Sequence, residues 1–422
     1  MKVFCGIDWA ENHHDVALVD EQGRLVAKCR IGDDASGLTT LLELLAEHGD
    51  TASALVPVAI ETSRGLLVAS LRATGRPMYA INPLAVSRYR ERHTVARAKS
   101  DHVDAVVLAN ILRTDADAHR LLPSDSELVQ AIAVLARGGQ DAAWSRQQIM
   151  NQLRSILREY FPAALCAFKD QRAGLAAAEA RTILAAAPTP SAAATLTKAR
   201  LRRLLIAAGR QRNIDARIDQ LLTVFASEQM RQLPRVEAAF GEQTKALILQ
   251  LDAVCRAVDH LAQATEEAFS EHPDAAILAS FPGVGTLTGA RILAEIGDDR
   301  TRFNQARNLR AYAGSAPVTR ASGKSVVVMQ RRIKNQRLAA AGYVWTFAAL
   351  TASPQARSHY DRRRAAGDGH PAALRNLFNR FLSQLHHCLA TGEKYDPEGI
   401  RPRSIPLCCL VPRRHCHKSV WG

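Results

Sequence analysis

Four carboxylates in this 422-residue chain stand where an acid needs a reason. Asp8 closes the apolar run VFCGID, and Glu61 closes PVAIE in the same way. Asp101 and Asp104 lie three residues apart in AKSDHVDA, which puts both near one face of a helix that starts near Ser100. A carboxylate at the end of a buried strand is costly to desolvate unless a metal, a hydrogen-bond donor or a phosphate meets it. If the strands ending in Asp8 and Glu61 are neighbours, acids from three separated segments converge at one sheet edge. Like charges converge only around a counter-charge, and Mg2+ takes a few carboxylates together with water and phosphate oxygens. Two such ions about 4 Å apart activate a nucleophile and stabilise a leaving oxygen in phosphoryl transfer. Taken singly, each acid is equally a strand-end or helix-capping residue, and Asp101 after Ser100 a first-turn acid favoured by the helix dipole. As a set, with their order and flanks, they point to a metal site. The tripeptide GID alone also fits the phosphate loop of an actin-like sugar kinase, but no convincing Gly-rich nucleotide loop precedes residue 280.

A sheet must position these acids. Strands are predicted over Val3–Asp8, Asp15–Val19, Leu25–Arg30, Pro57–Glu61 and Pro77–Ile81, and helices over Ser36–Glu47, Ser63–Arg72, Pro83–Tyr89 and His102–Leu112. The first three strands follow closely, as hairpins do, and the later ones alternate with helices. That order is the order of an RNase H-like α/β domain over residues 1–120. Residues 121–272 lose the strand signals and are rich in helix formers. Within them Ile149, Leu153, Ile156 and Tyr160 recur at helical spacing. Leu247, Leu251, Val254, Val258, Leu261, Thr265 and Ala268 trace a short heptad seam, predicting a coiled-coil connector or a helix packed in a bundle. The alanine-rich stretch 171–207, broken by Pro188 and Pro190, reads as helices with a loop. A third unit, 273–395, begins with FPGVGTLTGARILAEIGD. There Gly283 and Gly285 precede a helix from Thr286 to Ile296, in the manner of a helix-hairpin-helix element whose backbone amides approach a phosphate. A tight helix–helix turn explains the same glycines without a ligand.

The net charge of +14 is not evenly spread. Residues 301–422 hold 21 Lys and Arg against 5 Asp and Glu, whereas the first 300 residues hold 34 against 36. The positive field therefore belongs to one end of the chain, where it attracts polyanions. Basic residues interleave there with Asn, Gly and aromatics, as in RRIKNQRLAAAGYVW, a mixture suited to nucleic acid rather than to a merely solubilising face. No apolar run approaches the roughly 20 residues that span a bilayer, and MKVFCGID breaks before a signal-peptide core develops. A cytoplasmic protein without a membrane partner is expected, and the scattered cysteines do not suggest a disulfide framework.

Read together, GIDWAENHHDVALVD, IETS, AKSDHVDA, FPGVGTLTGARILAEIGD, LRAYAGSAPVTRASGKS and YDRRRAAGDGHPAALRNLFNRFLSQL resemble the DEDD-type insertion-sequence transposases, relatives of the Piv invertase, some of which are bridge-RNA-guided recombinases. The resemblance spans about residues 1–395. It implies a RuvC-like catalytic domain at 1–120, a helical coiled-coil connector at 121–272, and a mostly α-helical C-terminal transposase domain at 273–395. Its four acids fall on Asp8, Glu61, Asp101 and Asp104, and its motif serine on Ser322. It implies that Ser322 attacks DNA to form a phosphoserine link, assisted by Mg2+ and the acids of the same or another subunit. Donor and target DNA, an element-encoded guide RNA and a homodimer or tetramer are the implied partners, in a bacterial cytoplasm at the nucleoid. Without the resemblance, Ser322 reads as a turn residue, with Ser315, Thr319 and Ser325 as competitors. Arg320, Lys324, Arg331, Arg332, Lys334 and Arg337 surround it and are expected to contact phosphates of DNA or guide RNA, a solvated basic face being the plainer explanation. Tyr312, Tyr343 and Trp345 are expected in the core rather than in stacking. The tail 396–422, with Cys408, Cys409, His415, Cys416 and His417, departs from the resemblance. Its spacing matches no zinc finger, and a basic extension without structure is expected. The rival functions are a RuvC-like nuclease using water, such as a junction resolvase, and a non-catalytic nucleic-acid-binding protein.

Overall fold

The computed structural model describes residues 2–93, 101–322 and 325–397, and the expectations for Ser100, Lys324 and the cysteine- and histidine-bearing tail lie outside them. The chain divides into two compact units, the first ending at Ser124 and the second beginning at Asp125.

The first unit is α/β. Its strands are β1 (Val3–Trp9), β2 (His13–Asp20), β3 (Leu25–Gly32), β4 (Val58–Ile60) and β5 (Met78–Ala80), in the sheet order β3-β2-β1-β4-β5. The first three pair antiparallel; β1, β4 and β5 pair parallel. Short connections make the hairpins. At the β2–β3 turn the Asp20 carboxylate accepts from the Gln22 and Arg24 amides at 2.9 Å each. Parallel pairing requires crossovers, and α1 (Ala35–Glu47) and α2 (Leu66–Ala73) provide them. Asp34 caps α1 by accepting from the Gly37 amide at 2.7 Å. Side chains alternate across the sheet. Val3, Cys5, Ile7, Val58 and Ile60 form one core with Leu41, Leu45 and Leu71 of α1 and α2. Phe4, Val19 and Ala59 form the other, with Val86 of α3 (Pro83–His93) and Leu108 and Leu112 of α4 (Asp101–Asp115).

The second unit is mostly helical. It runs α5 (Glu127–Tyr160), α6 (Pro162–Phe168), α7 (Ala178–Ala186), α8 (Pro190–Ala194), α9 (Lys198–Ala207), α10 (Ile214–Phe225), α11 (Pro234–Ser270), α12 (Ala275–Ala279), α13 (Thr286–Ile296) and α14 (Ala306–Tyr312). A hairpin of β6 (Val318–Ser322) and β7 (Ser325–Met329) follows, then α15 (Gln336–Ala352), α16 (Pro354–Ala365) and α17 (His370–Thr391). Two cores lie along the two long helices α5 and α11, each roughly 50 Å at 1.5 Å per residue. Val129, Ile132 and Phe269 share one core with Leu293, Trp345 and Phe381; Leu153, Tyr160, Ile248 and Leu251 share the other with Ile183, Leu205 and Leu221. The pair is therefore antiparallel and inside one chain.

Two sequence expectations change in register or form. On α11 the buried line is Glu237, Gly241, Thr244, Ile248, Leu251, Cys255, Thr265 and Phe269. It shares Leu251 and Thr265 with the expected seam but takes Ile248, Cys255 and Phe269 in place of Leu247, Val254 and Ala268. Polar and small residues extend it where apolar counting stops. Thr244 meets the Tyr160 hydroxyl at 2.7 Å. Glu237 accepts from Ser191 Oγ at 2.7 Å and from Arg231 Nε at 2.8 Å. Ser322, in turn, ends a strand; the β-branched run Val326–Val328 carried that signal. Trp345 is fully buried, as expected, but Tyr343 is 47% exposed. No described helix is long and apolar enough to cross a membrane.

Candidate active site

Ile7 of β1 lies opposite Ile60 of β4. Asp8 and Glu61 therefore leave adjacent parallel strands at matching positions, on strands about 4.8 Å apart. Ile7 and Ile60 are buried on the α1–α2 side, so alternation assigns Asp8 and Glu61 to the side that carries α4. Gly6 explains how closely α4 approaches. A Cβ there would stand 2.1 Å from the Ala105 carbonyl oxygen and 2.5 Å from the Ala109 nitrogen. That contact seats Asp104, the neighbour of Ala105, beside the end of β1.

Asp8, Glu61 and Asp104 line one open cleft of about 460 Å3, together with Trp9, His13, Asp15, Ser87 and Arg90. Asp104 is only 6% exposed and forms an ion pair with Arg90 of α3. Asp15 faces Asp8 in the β1–β2 register. It is clamped by Arg30 of β3 through Nε at 3.0 Å and Nη2 at 2.8 Å, a bidentate geometry. Two arginines from flanking elements thus partly offset a group of acids. Asp101 opens α4, three residues before Asp104; its side chain lies outside what the structure describes. The acids offer oxygen, the ligand type of a hard cation, and His13 adds one imidazole to the cleft wall. Among the described residues no three His, Cys, Asp or Glu come together as a metal cage. The arrangement suits a hard cation that keeps water and phosphate ligands and takes only one or two carboxylates.

In the second unit the Ser322 side chain is exposed and pairs in register with Ser325. Arg320, two residues earlier, shares its face of the hairpin. Of the competing hydroxyls, Ser315 is 5% exposed and committed to the Arg310 carbonyl at 3.2 Å and Asn379 Oδ1 at 3.1 Å. Arg332 is exposed, and Arg331 has a buried Nε without a hydrogen-bond partner. The Lys334 stem covers Gly314, where a Cβ would come within 2.3 Å of its Cδ. Arg337 is engaged elsewhere. It donates to both Asp141 oxygens at 2.7 and 2.8 Å and lies 5.1 Å above the Trp144 ring, tying α15 to α5. Gly283 has φ +78, and a Cβ on it would meet the Ala349 nitrogen at 2.5 Å. Close approach to α15 therefore accounts for it. Gly285 caps α13 with open space around it.

Residues 5–162 match the family profile of the DEDD transposases of IS110 type, described as transposase, and residues 275–361 match that of the transposase IS116/IS110/IS902 family. The first stretch contains all four acids and the second contains Ser322. A Streptomyces coelicolor protein described as a transposase for the IS117 mini-circle is 61% identical over 398 residues, covering 94% of this chain and 96% of that protein. A 43.6 kDa protein of the insertion element IS110 from the same organism is 29% identical, covering 94% of this chain and 97% of its own length. A 42 kDa protein of the element IS900 from Mycobacterium paratuberculosis is 27% identical over 94% and 97%. The chain is thus a transposase, an enzyme that cuts and rejoins DNA. It belongs to the IS110 family of insertion-element transposases. A DEDD-type transposase suggests use of a divalent metal.

Sequence reasoning did not single out Asp15, Arg30 or Arg90. A signal for the first existed: with only Ala10–Asn12 between β1 and β2, antiparallel pairing sets Asp15 against Asp8. Arg30 stands opposite Asp15 in the β2–β3 hairpin, beyond a register shift at Leu18/Val19, and Arg90 comes from a helix whose approach no local pattern encodes.

Proposed function

We propose that this transposase cuts DNA by attack of the Ser322 hydroxyl on a phosphodiester, through a covalent phosphoserine link, and that Asp8, Glu61, Asp101 and Asp104 hold Mg2+ for that reaction. The best support is the matched exit of Asp8 and Glu61 from neighbouring parallel strands into one cleft with Asp104. Bound by these acids, Mg2+ would supply Lewis acidity to phosphate oxygens and ease deprotonation of a hydroxyl. The chain's own residues do the rest. Strand spacing fixes the Asp8 and Glu61 carboxylates, and the Gly6 contact fixes Asp104 against them. A serine hydroxyl is a weak nucleophile at neutral pH and needs such activation. In the step, Oγ–P forms while one P–O bond to a sugar breaks; the Ser322 proton is lost and the released sugar oxygen gains one. A second DNA hydroxyl then attacks the phosphoserine, loses its proton, and Ser322 recovers one. One phosphodiester is exchanged for another, so rejoining needs no ATP.

Arg320, Lys324, Arg331, Arg332 and Lys334 are assigned to phosphate contacts. Each would steepen the salt dependence by roughly 0.9 in the log–log slope on duplex DNA. The amides after Gly283 and Gly285, at the start of α13, are assigned to the same task in a helix-hairpin-helix role. Donor and target DNA, a structured RNA from the element's flanks and a homodimer or tetramer complete the proposed assembly, in the bacterial cytoplasm at the nucleoid. The test uses purified protein, Mg2+, supercoiled donor and target DNA, and RNA transcribed from the flanks, resolved under denaturing conditions. Wild type should yield protein covalently attached to DNA, and Ser322→Ala and Asp8→Asn should not. Metal-dependent cleavage with no adduct, indifferent to Ser322→Ala, would instead mean a RuvC-like nuclease that uses water.

A further inference from the structure

The helical unit carries an aromatic surface that the cutting chemistry does not use. On α15, Tyr343, Val344 and Phe347 are 47%, 49% and 57% exposed. The opposite side of the helix buries Leu338, Ala341, Trp345 and Ala349, so α15 is anchored without them. Tyr343 and Phe347 stand about one turn apart, their rings within 4° of parallel and their centroids 6.5 Å apart. His370, which opens α17, meets both rings edge-on with centroids at 6.3 Å. Its Nδ1 is in turn held by the Tyr360 hydroxyl at 2.7 Å. The pair is braced, yet about half of each side chain is left to solvent.

Tyr343 also forms a wall of a cavity of about 200 Å3, with Gln330, Lys334 and Arg375 among its other walls. The surroundings are positive. Asp361 and Asp368 are taken up by Arg357 and Arg363, whereas Arg362, Arg364, Arg375 and Arg380 form no ion pair among the described residues. His359 registers that field. Burial lowers its pKa first, and the charges of Arg380, Arg362 and Arg363 add to the shift, against the hydrogen bond it donates to Asn376 Oδ1. Exposed parallel rings next to a cavity walled by the unpaired Arg375, with further unpaired arginines on α16 and α17, the helices that brace the rings through Tyr360 and His370, suit a ligand with flat π faces and a phosphate backbone. A duplex hides its base faces, and a single strand offers both.

We propose that the Tyr343–Phe347 face and the adjoining Lys334–Arg375 cavity form a binding site for unpaired nucleotides, bases stacking on the rings and phosphates meeting the arginines. Gln330 follows Met329, which pairs with Val318 at the base of the β6–β7 hairpin, and Ser322 lies four residues further along. The site is therefore roughly 13 Å of strand from Ser322, at 3.3 Å per residue. It rests on the family's DNA-handling activity and not on Ser322 as nucleophile.

The test measures binding of the full-length protein to labelled oligothymidylate, oligouridylate and a duplex of equal length, by fluorescence anisotropy. Base–aromatic stacking is lost by about tenfold in affinity for each ring removed. Tyr343→Ala/Phe347→Ala should therefore weaken both single strands by about a hundredfold and leave the duplex within a factor of about two. Phe347→Leu should weaken single strands alone, and Phe347→Tyr should restore them. An equal loss for both oligomers means stacking only, and a larger loss for oligouridylate adds 2′-hydroxyl contacts; either supports the site. An unchanged single-strand affinity in the double variant, a parallel loss for duplex and single strand, or wild-type binding by Phe347→Leu overturns it. Arg362→Ala/Arg375→Ala, at exposed or half-buried positions, gives a readout independent of ring packing. The salt slope for single strands should fall by about 1.4, at 0.7 per phosphate contact, and an unchanged slope also overturns the proposal.

Discussion

Replacing Gly6 by Ala tests the contact on which the acidic cleft depends. The added Cβ would sit 2.1 Å from the Ala105 carbonyl oxygen, 2.5 Å from the Ala109 nitrogen and 3.0 Å from the Leu108 Cβ. The first two obstacles are helix backbone and cannot rotate away. Relief to an ordinary contact of about 3.4 Å moves α4 off β1 by roughly 1.3 Å. Overpacking typically costs 1–3 kcal/mol, and a backbone obstacle belongs near the top, at about 3 kcal/mol. For a unit of this size that is a loss of roughly 10 °C in Tm. The same retreat carries Asp104 away from Asp8 and Glu61, and a misplacement of about 1 Å costs on the order of a hundredfold in rate. Thermal unfolding of the full chain reads the first effect, and adduct yield at a temperature where the variant stays folded reads the second. A Gly6→Ala protein that melts within about 2 °C of wild type, with undiminished DNA cleavage, would refute the placement of α4 on β1.

Other expectations separate structural from ligand-binding roles. Gly283→Ala combines a positive φ with a clash against the α15 backbone and should cost about 3 kcal/mol in urea denaturation; Gly285→Ala should stay within about 0.5 kcal/mol and alter only DNA affinity. Arg337→Ala should lower stability by about 1 kcal/mol through loss of Asp141 and Trp144, leaving the salt slope of DNA binding unchanged, whereas Arg320→Ala should reduce that slope by about 0.9 with stability unchanged. Asp298 is raised by burial but lowered overall by its hydrogen bonds from Ser126 and the neighbouring His272. Its folded pKa lies below the unfolded value of about 3.9, so its stabilisation is present above that pH and lost as pH falls through the folded value. Asp298→Asn should flatten the acid limb of stability, read as urea midpoints from pH 7 down to pH 3.

The sheet was legible because most strands of the first unit hold a short apolar run, with β3 alternating apolar and basic residues instead, and because an acid ending such a run is conspicuous. Glu61 follows β4 as Asp8 follows Ile7, so one parallel pairing aligns them. What places α4 was hidden. Gly6 reads as a strand glycine until the helix behind it is seen, Arg30 reaches Asp15 only through a hairpin whose register shifts at Leu18/Val19, and Arg90 reaches Asp104 from a helix with no local pattern that places it. On α11 the buried line runs through Glu237 and Thr244, each hydrogen-bonded to a residue distant in sequence, and through Gly241, packed against Thr189, so an apolar seam alone misses three of its positions by one residue. Tyr343 and Trp345 lie in one apolar stretch, and only packing separates the buried ring from the exposed one.

The most direct test of the central claim locates the covalent link. Trypsin cuts after Arg320 and Lys324, so the peptide Ala321–Lys324 contains Ser322 as its only hydroxyl residue, with Thr319 and Ser325 on the flanking peptides. After reaction with DNA, nuclease digestion and trypsin, mass spectrometry should find a nucleotide remnant on that tetrapeptide. Its absence from the tetrapeptide in a sample that has cut DNA, or its presence on the peptide beginning at Ser325, would contradict Ser322 as the nucleophile.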